Sequence, residues 1–313
     1  MMNKEKNFVS AVIYVHNAEK RVGHFLKMII SVLEENFENS EIICVNDFSN
    51  DNSRQMIKEA SKNAAACSIS IIDMSYFHGL EMAMNAGVDL SIGDFVFEFD
   101  STLADFSEDE IMKVYDRALQ GYDVVSAVPD KMEKMSSRVF YQVFDRFTDI
   151  PYRMSTERFR ILSRRVINRV SSMNKAVLYR KAVYANCGLQ TDTIKYTAVN
   201  QTNEDIKDKQ ETQYRHDLAV DSLILFTEFG YRFSMTMTII MMVMSVFMSV
   251  YSLVTYLIIH PVEGWTTTIL FLSVAFFGLF GILTIIVKYL QLLVNLTFKR
   301  KSYSFASVEK LTK

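Results

Sequence analysis

Two short acidic runs carry most of the chemistry this sequence offers: Asn46-Asp47-Phe48-Ser49-Asn50-Asp51-Asn52-Ser53 and Asp100-Ser101-Thr102-Leu103-Ala104-Asp105. Carboxylates in such runs can bind a hard cation, accept hydroxyl protons from a sugar or nucleoside, or cap a helix. Capping accounts for the first run in part, with Ser49 or Asn50 opening a helix and Asp51 in its first turn. It does not account for Asp47. For Asp100 a capping role and a functional role stand side by side. A third feature lies between Arg138 and Arg169: eight arginines against Asp145, Asp149 and Glu157, interleaved with Phe140, Tyr141, Val143, Phe144 and Phe147. Arginine and aromatic side chains in this mixture suit a lipid headgroup region and bidentate recognition of phosphate. An ordinary solvated basic face is the alternative for any single arginine.

The elements that position these runs follow from hydropathy. Strands are expected at Phe8–Tyr14, Glu41–Val45, Ser68–Asp73, Asp94–Phe99 and Asp123–Val128. Helical spacing lies between them. Val22, Phe25, Leu26, Ile29, Ile30 and Leu33 share one helix face within 19–34, and 107–119 behaves similarly. Alternating strands and helices predict an α/β domain with a parallel sheet covered on both faces. In such sheets ligands bind beyond the carboxyl ends of the strands, where both acidic runs fall.

Near the C-terminus two stretches lack Asp, Glu, Lys and Arg: Phe233–Val262, thirty residues, and Gly264–Val287, twenty-four. Each exceeds the roughly 20 residues that span a bilayer. A transmembrane hairpin is expected at about 233–258 and 266–288, turning at His260-Pro261 and Glu263-Gly264-Trp265. Arg215, Arg232, Lys288 and Lys299-Arg300-Lys301 flank it, and the turn has no Lys or Arg. Both termini and the first domain are therefore expected on the cytoplasmic face of a cell membrane. The start, Met1 to Lys6, lacks a signal-peptide core. The domains are expected at 1–230, with an interfacial basic and aromatic segment at about 136–170, then the hairpin, then a basic cytosolic tail at 291–313. Gly278, Gly281, Ser273 and Ala275 offer small residues for helix packing in a homo-oligomer. A net charge of −2 argues against nucleic acid as a partner. Cys44, Cys67 and Cys187 are odd in number and are expected as reduced, structural thiols.

The order of motifs resembles the family 2 glycosyltransferases. Tyr14-Val15-His16-Asn17-Ala18-Glu19 is similar to the family's V-Y-N-E-E, and Val45 to Ser53 to its V-D-D-G-S-x-D-G-S. His78-Gly79, Ala83-x-Asn85-x-Gly87 and Gly93-Asp94 resemble the N-x-G, A-x-N-x-G and G-D that precede its D-x-D. Phe159-Arg160-Ile161-Leu162-Ser163-Arg164-Arg165 and the hairpin, with Pro261-x-x-Gly264-Trp265, resemble the polyprenyl-phosphate branch, which includes dolichyl-phosphate mannose synthase and bacterial undecaprenyl-phosphate glucosyltransferases. The resemblance implies a GT-A, Rossmann-like nucleotide-sugar-binding domain. It also implies transfer of a sugar from a nucleotide diphosphate donor to a membrane polyprenyl phosphate, with Mg²⁺ or Mn²⁺ on the D-x-D. Carried onto this sequence, the donor is bound by Tyr14, Asn17, Glu19, Asp47, Ser49, Asp100, Thr102, Lys207 and Thr212. Asp100, Arg160 and Arg164 are the catalytic set, and Asp100 is the metal ligand, with Glu98 or Asp105 as helpers.

This chain departs from the pattern at four places. The D-x-D reads Asp100-Ser101-Thr102, Phe48 replaces a turn glycine, and Glu157-Arg158 replaces G-D. Lys207 to Tyr214 keeps only Lys207, Thr212 and Tyr214 of R-x-x-G-x-S-K-Y in kind. Two functions follow: an active transferase with unusual metal use, or a non-catalytic membrane homologue that scaffolds an active partner.

Overall fold

The computed structural model describes residues 4–130, 157–172, 179–185, 187–199, 213–214, 217–218, 220–221, 265–298 and 303–312, with positions 233, 236–237, 239–241, 243–244 and 247. The chain forms two compact units. The first comprises Met1–Asp145, Ile150–Leu218 and Lys299–Lys313, and the second Arg146–Asp149 and Ala219–Phe298.

In the first unit the five expected strands appear within a residue or two: β1 Val9–Val15, β2 Ser40–Asn46, β3 Ser68–Met74, β4 Phe95–Phe99 and β5 Val124–Pro129. All seven residues of β1 are buried, as a strand covered on both faces requires. Between them lie α1 Glu19–Asn36, α2 Ser53–Ser61, α3 Leu80–Leu90 and α4 Glu108–Leu119. The stripe of Val22, Phe25, Leu26, Ile29, Ile30 and Leu33 in α1 is buried. Glu108, Asp109 and Glu110 in the first turn of α4 and Arg117 in its last complement the helix dipole.

Three further strands, β6 Phe159–Ser163, β7 Thr191–Tyr196 and β8 Phe305–Lys310, make an eight-stranded sheet in the order β7-β5-β6-β4-β1-β2-β3-β8. The expected all-parallel sheet is therefore mixed. β6 runs antiparallel between β4 and β5, and β8 antiparallel along β3. β6 carries Phe-Arg-Ile-Leu-Ser, with Phe159 to Leu162 buried. This part of the predicted interfacial segment is thus a central strand, while 136–156 lies outside the described residues. The expected basic tail is also revised, because its later half is the edge strand β8, tied to α2 and β3 through Glu309 with Arg54 and Lys58, and Ser307 with Asp73.

Alternation along β1 divides the core. Val9, Ala11, Ile13 and Val15 pack with α1, α2 and α4. Val12 and Tyr14 face the other side, with α3, α5 (Arg164–Ser172) and α6 (Arg180–Ala185). α3 approaches the sheet closely at Gly87, where a Cβ would stand 2.4 Å from Val12 Cγ1 and 2.7 Å from Val45 Cγ2. All three cysteines are free and buried, and burial pushes the Cys44 thiol up to about 12.

The second unit contains α7, Trp265–Phe298, a continuous helix of 34 residues. Taken over the described side chains, no helix of the structure is long and apolar enough to cross a membrane. The first half of the predicted hairpin falls mostly outside the described residues, as do the side chains at 265–267, 269–270 and 273–274 of the second. Gly278 is buried, and a Cβ there would stand 2.2 Å from Met241 Cε. Its small size is thus used within this chain.

Candidate active site

The loops after β1 and β2 are knitted together by the residues singled out in the sequence. Tyr14 donates its hydroxyl to Asp47 Oδ2 at 3.1 Å. Asn17, at φ 46°, donates its amide to Ser49 Oγ at 3.1 Å and accepts from the Asn50 amide at 2.9 Å. Glu19 accepts from the Asn52 amide at 3.1 Å and donates its own to Asp51. Asp51 also receives the Ser53 amide and hydroxyl, so α2 opens at Ser53 and not at Ser49 or Asn50. Five predicted donor-binding residues, Tyr14, Asn17, Glu19, Asp47 and Ser49, are thereby brought to one place.

Asp47 itself is fully buried. Oδ1 accepts the His78 amide at 2.8 Å and Oδ2 the Gly79 amide at 2.8 Å. Burial pushes its carboxyl above the ordinary range, against the opposing effect of these hydrogen bonds. With no exposed surface, this carboxylate shapes its loops and offers no face to a nucleoside, which corrects the contact role expected for it. The neighbouring exposed group is Phe48, in the left-handed region at φ 54°.

A second cluster lies at the carboxyl end of β4. Arg160, on β6, is almost completely buried and divides its guanidinium among three carboxylates: Glu157 at 2.9 Å, Glu98 at 2.6 Å and Asp100 at 2.6 Å. Arg180, at the start of α6, is fully buried and reaches Glu81 at 2.9 Å, Glu98 at 2.7 Å and Asp100 at 2.7 Å. Tyr184 adds its hydroxyl to Glu98 at 2.9 Å. Glu98, a possible metal helper in the sequence, is a fully buried joint between the two arginines. Burial raises the carboxyl pKa of Asp100, but the charges of Arg160, Arg180 and Lys181 outweigh it and hold it well below the ordinary range. Asp100 keeps a side-chain exposure of 10%, against 3% or less for the three glutamates, and so is the carboxylate of this cluster that a ligand can touch.

The two centres are joined. Gly79 caps α3, Glu81 sits in the first turn of that helix, and Glu81 accepts both the Arg180 amide and its Nε at 2.9 Å. Contacts therefore run from Asp47 through Gly79 and Glu81 to Arg180 and Asp100. Neither Arg180 nor Glu81 was marked by the sequence. Both stand outside any motif, and only packing shows that their charged groups point inward.

Two catalytic assignments change. Arg160 has its fork filled by carboxylates and is 1% exposed, so it positions Asp100 and does not grip a phosphate. Arg164 lies at the opposite end of the sheet. Antiparallel β6 pairs Phe159 with Phe99 and Ser163 with Phe95, so its far end meets Gly93, whose carbonyl takes Arg164 Nε at 2.8 Å. Four residues of strand, about 13 Å, separate the two ends. Arg158 bonds Asp105 at 2.7 Å, and Tyr196 donates to the same carboxylate at 2.9 Å, so Asp105 too is committed. Thr102 is buried, and Lys207 and Thr212 lie outside the described residues.

Among the described residues no group of three or more His, Cys, Asp or Glu side chains is arranged to hold a metal. The residues nonetheless fit a hard cation held mainly by substrate phosphates. Asp100 is ionised and partly exposed, and the network carries four carboxylates against two guanidiniums. One carboxylate plus substrate oxygens is an ordinary arrangement for Mg²⁺.

An α/β sheet of this topology, with its carboxylates at the carboxyl ends of β2 and β4, defines a GT-A-like glycosyltransferase fold. Residues 10–185 match the Glycosyl transferase family 2 model, and the chain belongs to that family. It is 30% identical over 187 residues to an uncharacterized glycosyltransferase of Synechocystis, covering 58% of each chain. It is 30% identical over 128 residues to the undecaprenyl-phosphate 4-deoxy-4-formamido-L-arabinose transferase of Aeromonas hydrophila, covering 41% of this chain and 39% of that one. A prophage bactoprenol glucosyl transferase homolog of Escherichia coli is 25% identical over 233 residues, 72% of this chain and 74% of that one. The match thus spans under three fifths of the Synechocystis relative's length. Among solved structures, glucosyl-3-phosphoglycerate synthase from Mycobacterium tuberculosis shares the fold at TM-score 0.50 and 11% identity, over 70% of this chain and 79% of that one.

Proposed function

We propose that this chain is a membrane-anchored glycosyltransferase that moves a sugar from a nucleotide diphosphate sugar to a polyprenyl phosphate. The observation that carries the reading is Asp100, a partly exposed carboxylate held ionised by Arg160 and Arg180 at the carboxyl end of β4 in a family 2 chain. In the reaction an acceptor phosphate oxygen attacks the anomeric carbon. The bond from that carbon to the diphosphate breaks, and the nucleoside diphosphate leaves with its electron pair. The acceptor is already anionic, so the protein's work is alignment and control of charge. The loops built by Tyr14, Asn17, Glu19 and Ser49 receive the nucleoside side of the donor, and Asp100 faces its diphosphate. A bound Mg²⁺ or Mn²⁺ would neutralise charge on the leaving diphosphate, with Asp100 as its protein ligand.

The relatives named for undecaprenyl phosphate and bactoprenol support the acceptor. The membrane reading is supported by α7, about 51 Å long at 1.5 Å per residue and free of Asp, Glu, Lys and Arg from Trp265 to Val287. Phe276, Phe277 and Phe280 are exposed along it. The second unit is inserted between parts of the first, since the chain returns to β8 in the same sheet. An anchor there crosses an even number of times, with both chain ends on one face, and flanking Lys and Arg make that face cytoplasmic.

The test is transfer of labelled sugar from a panel of UDP- and GDP-sugars to undecaprenyl phosphate by the purified, detergent-solubilised full chain, with and without EDTA. Lipid-linked product supports the reading. Folded protein that yields none from any donor removes it in favour of a scaffold. The Arg158–Asp105 pair favours that second reading, because it places a paired cation where the family pattern has an acid.

A further inference from the structure

The Ser75–Gly79 turn gathers contacts from two distant parts of the first unit's chain, around Tyr214 and around Ser304. Tyr214 packs on Gly79. A Cβ at Gly79 would stand 2.2 to 2.6 Å from atoms of the Tyr214 ring, and Gly79 has φ 81°. Tyr214 also meets Phe77 edge-on at 6.0 Å between centroids and accepts a hydrogen bond from the Glu81 amide. Ser304 donates its amide to His78 Nε2 at 3.0 Å, and its carbonyl accepts the Ser75 amide at 3.0 Å. The His78 tautomer follows from its partners: Nδ1 faces the Tyr76 carbonyl at 2.6 Å and must donate, which leaves Nε2 to accept from Ser304.

The inner side of the same turn supplies the two amides that hold Asp47. Glycine takes φ 81° without strain, so the position of this turn is set by its contacts. Here its surroundings are Asp47 on the inner side and, on the outer side, Tyr214 and Ser304, two residues of the same unit far apart in the chain. We propose that the Ser75–Gly79 turn is a clasp that sets the competence of the donor site, with Tyr214, His78 and Ser304 as positioning residues. The inference rests on the proposed function in taking the loops around Asp47 as the donor site. When either strand of the clasp is released, the His78 and Gly79 amides leave Asp47, and the Asn46–Asn50 loop loses its shape.

Hydrogen exchange of the peptide spanning Ser75–Leu80, alongside calorimetric titration with UDP and GDP, tests this in the full chain. The variants are Tyr214→Ala, which empties the space over Gly79, and His78→Phe, which keeps the ring over Tyr76 and the backbone amide but removes the acceptor for Ser304 and the donor to the Tyr76 carbonyl. Each is expected to speed exchange of the His78 and Gly79 amides by about tenfold or more, with the strands of the sheet unchanged. Each is also expected to weaken nucleotide binding by a similar factor. Unchanged exchange in both variants, in protein with a native circular dichroism spectrum, overturns the clasp. So does faster exchange with undiminished nucleotide affinity. If the unaltered chain binds neither nucleotide, the donor-site reading fails by itself, and the clasp's control of that site falls with it.

Discussion

Asp100 Oδ2 lies 2.6 Å from Arg160 Nη2 while its Oδ1 lies 2.7 Å from Arg180 Nη2, so one carboxylate is gripped by two buried guanidiniums from opposite sides. This pairing fixes both the position and the charge of the acid on which the proposed donor site depends. Asp100→Asn keeps the shape but removes the charge. The expected outcome is a loss of transfer of about a hundredfold or more, with a native circular dichroism spectrum. Turnover equal to the unaltered enzyme would remove Asp100 from the mechanism.

The cation is expected to depend on the donor. With one partly exposed carboxylate, the site should take up Mn²⁺ weakly alone and much more tightly once a nucleoside diphosphate supplies oxygens. Electron paramagnetic resonance of free Mn²⁺, titrated with and without UDP or GDP, measures this directly. Tight binding without nucleotide would contradict the site described here.

Breaking the buried network should be costly. Arg160→Met leaves buried Glu157 without its arginine and Glu98 and Asp100 on Arg180 alone. A loss of about 3 to 5 kcal/mol is expected for such a change, read from urea unfolding. A loss below about 1 kcal/mol would mean that water or another cation compensates.

Arg164 offers the contrasting case. It bonds the Gly93 carbonyl at the far end of the sheet from Asp100. Arg164→Ala should lower stability by about 1 kcal/mol and leave the KM for the donor unchanged. A rise in that KM of tenfold or more would return Arg164 to the donor site.

Acid should destabilise the fold through Asp100. Its folded pKa is held below the ordinary 3.8, so its ionised form contributes stability that is complete above that value and is lost as pH falls below it. Thermal melts of the native chain and of Asp100→Asn should therefore differ most near neutral pH and converge as pH falls below about 4.

Much of the site was legible locally. Tyr14, Asn17, Glu19, Asp47 and Ser49 meet because they lie at or just beyond the carboxyl ends of two strands marked by apolar runs, and adjacent parallel strands bring their ends together. The opposite faces of β1 and the stripe of α1 follow from periods of 2 and 3.6, which sequence displays directly. Strand direction and charge pairing are not local properties. Nothing in Phe-Arg-Ile-Leu-Ser says that β6 runs antiparallel between β4 and β5, yet that direction puts Arg160 beside Asp100 and carries Arg164 away. Nor does a lone arginine or glutamate show whether it faces water. Arg180 and Glu81 became part of the site only through burial against Asp100 and Glu98, where a charge must find partners. The sequence alone determined the first five strands and the helices between them, the buried faces of β1 and α1, and which family motifs they carry. Tertiary structure decided which charges meet, because that depends on the order and direction in which distant strands join one sheet.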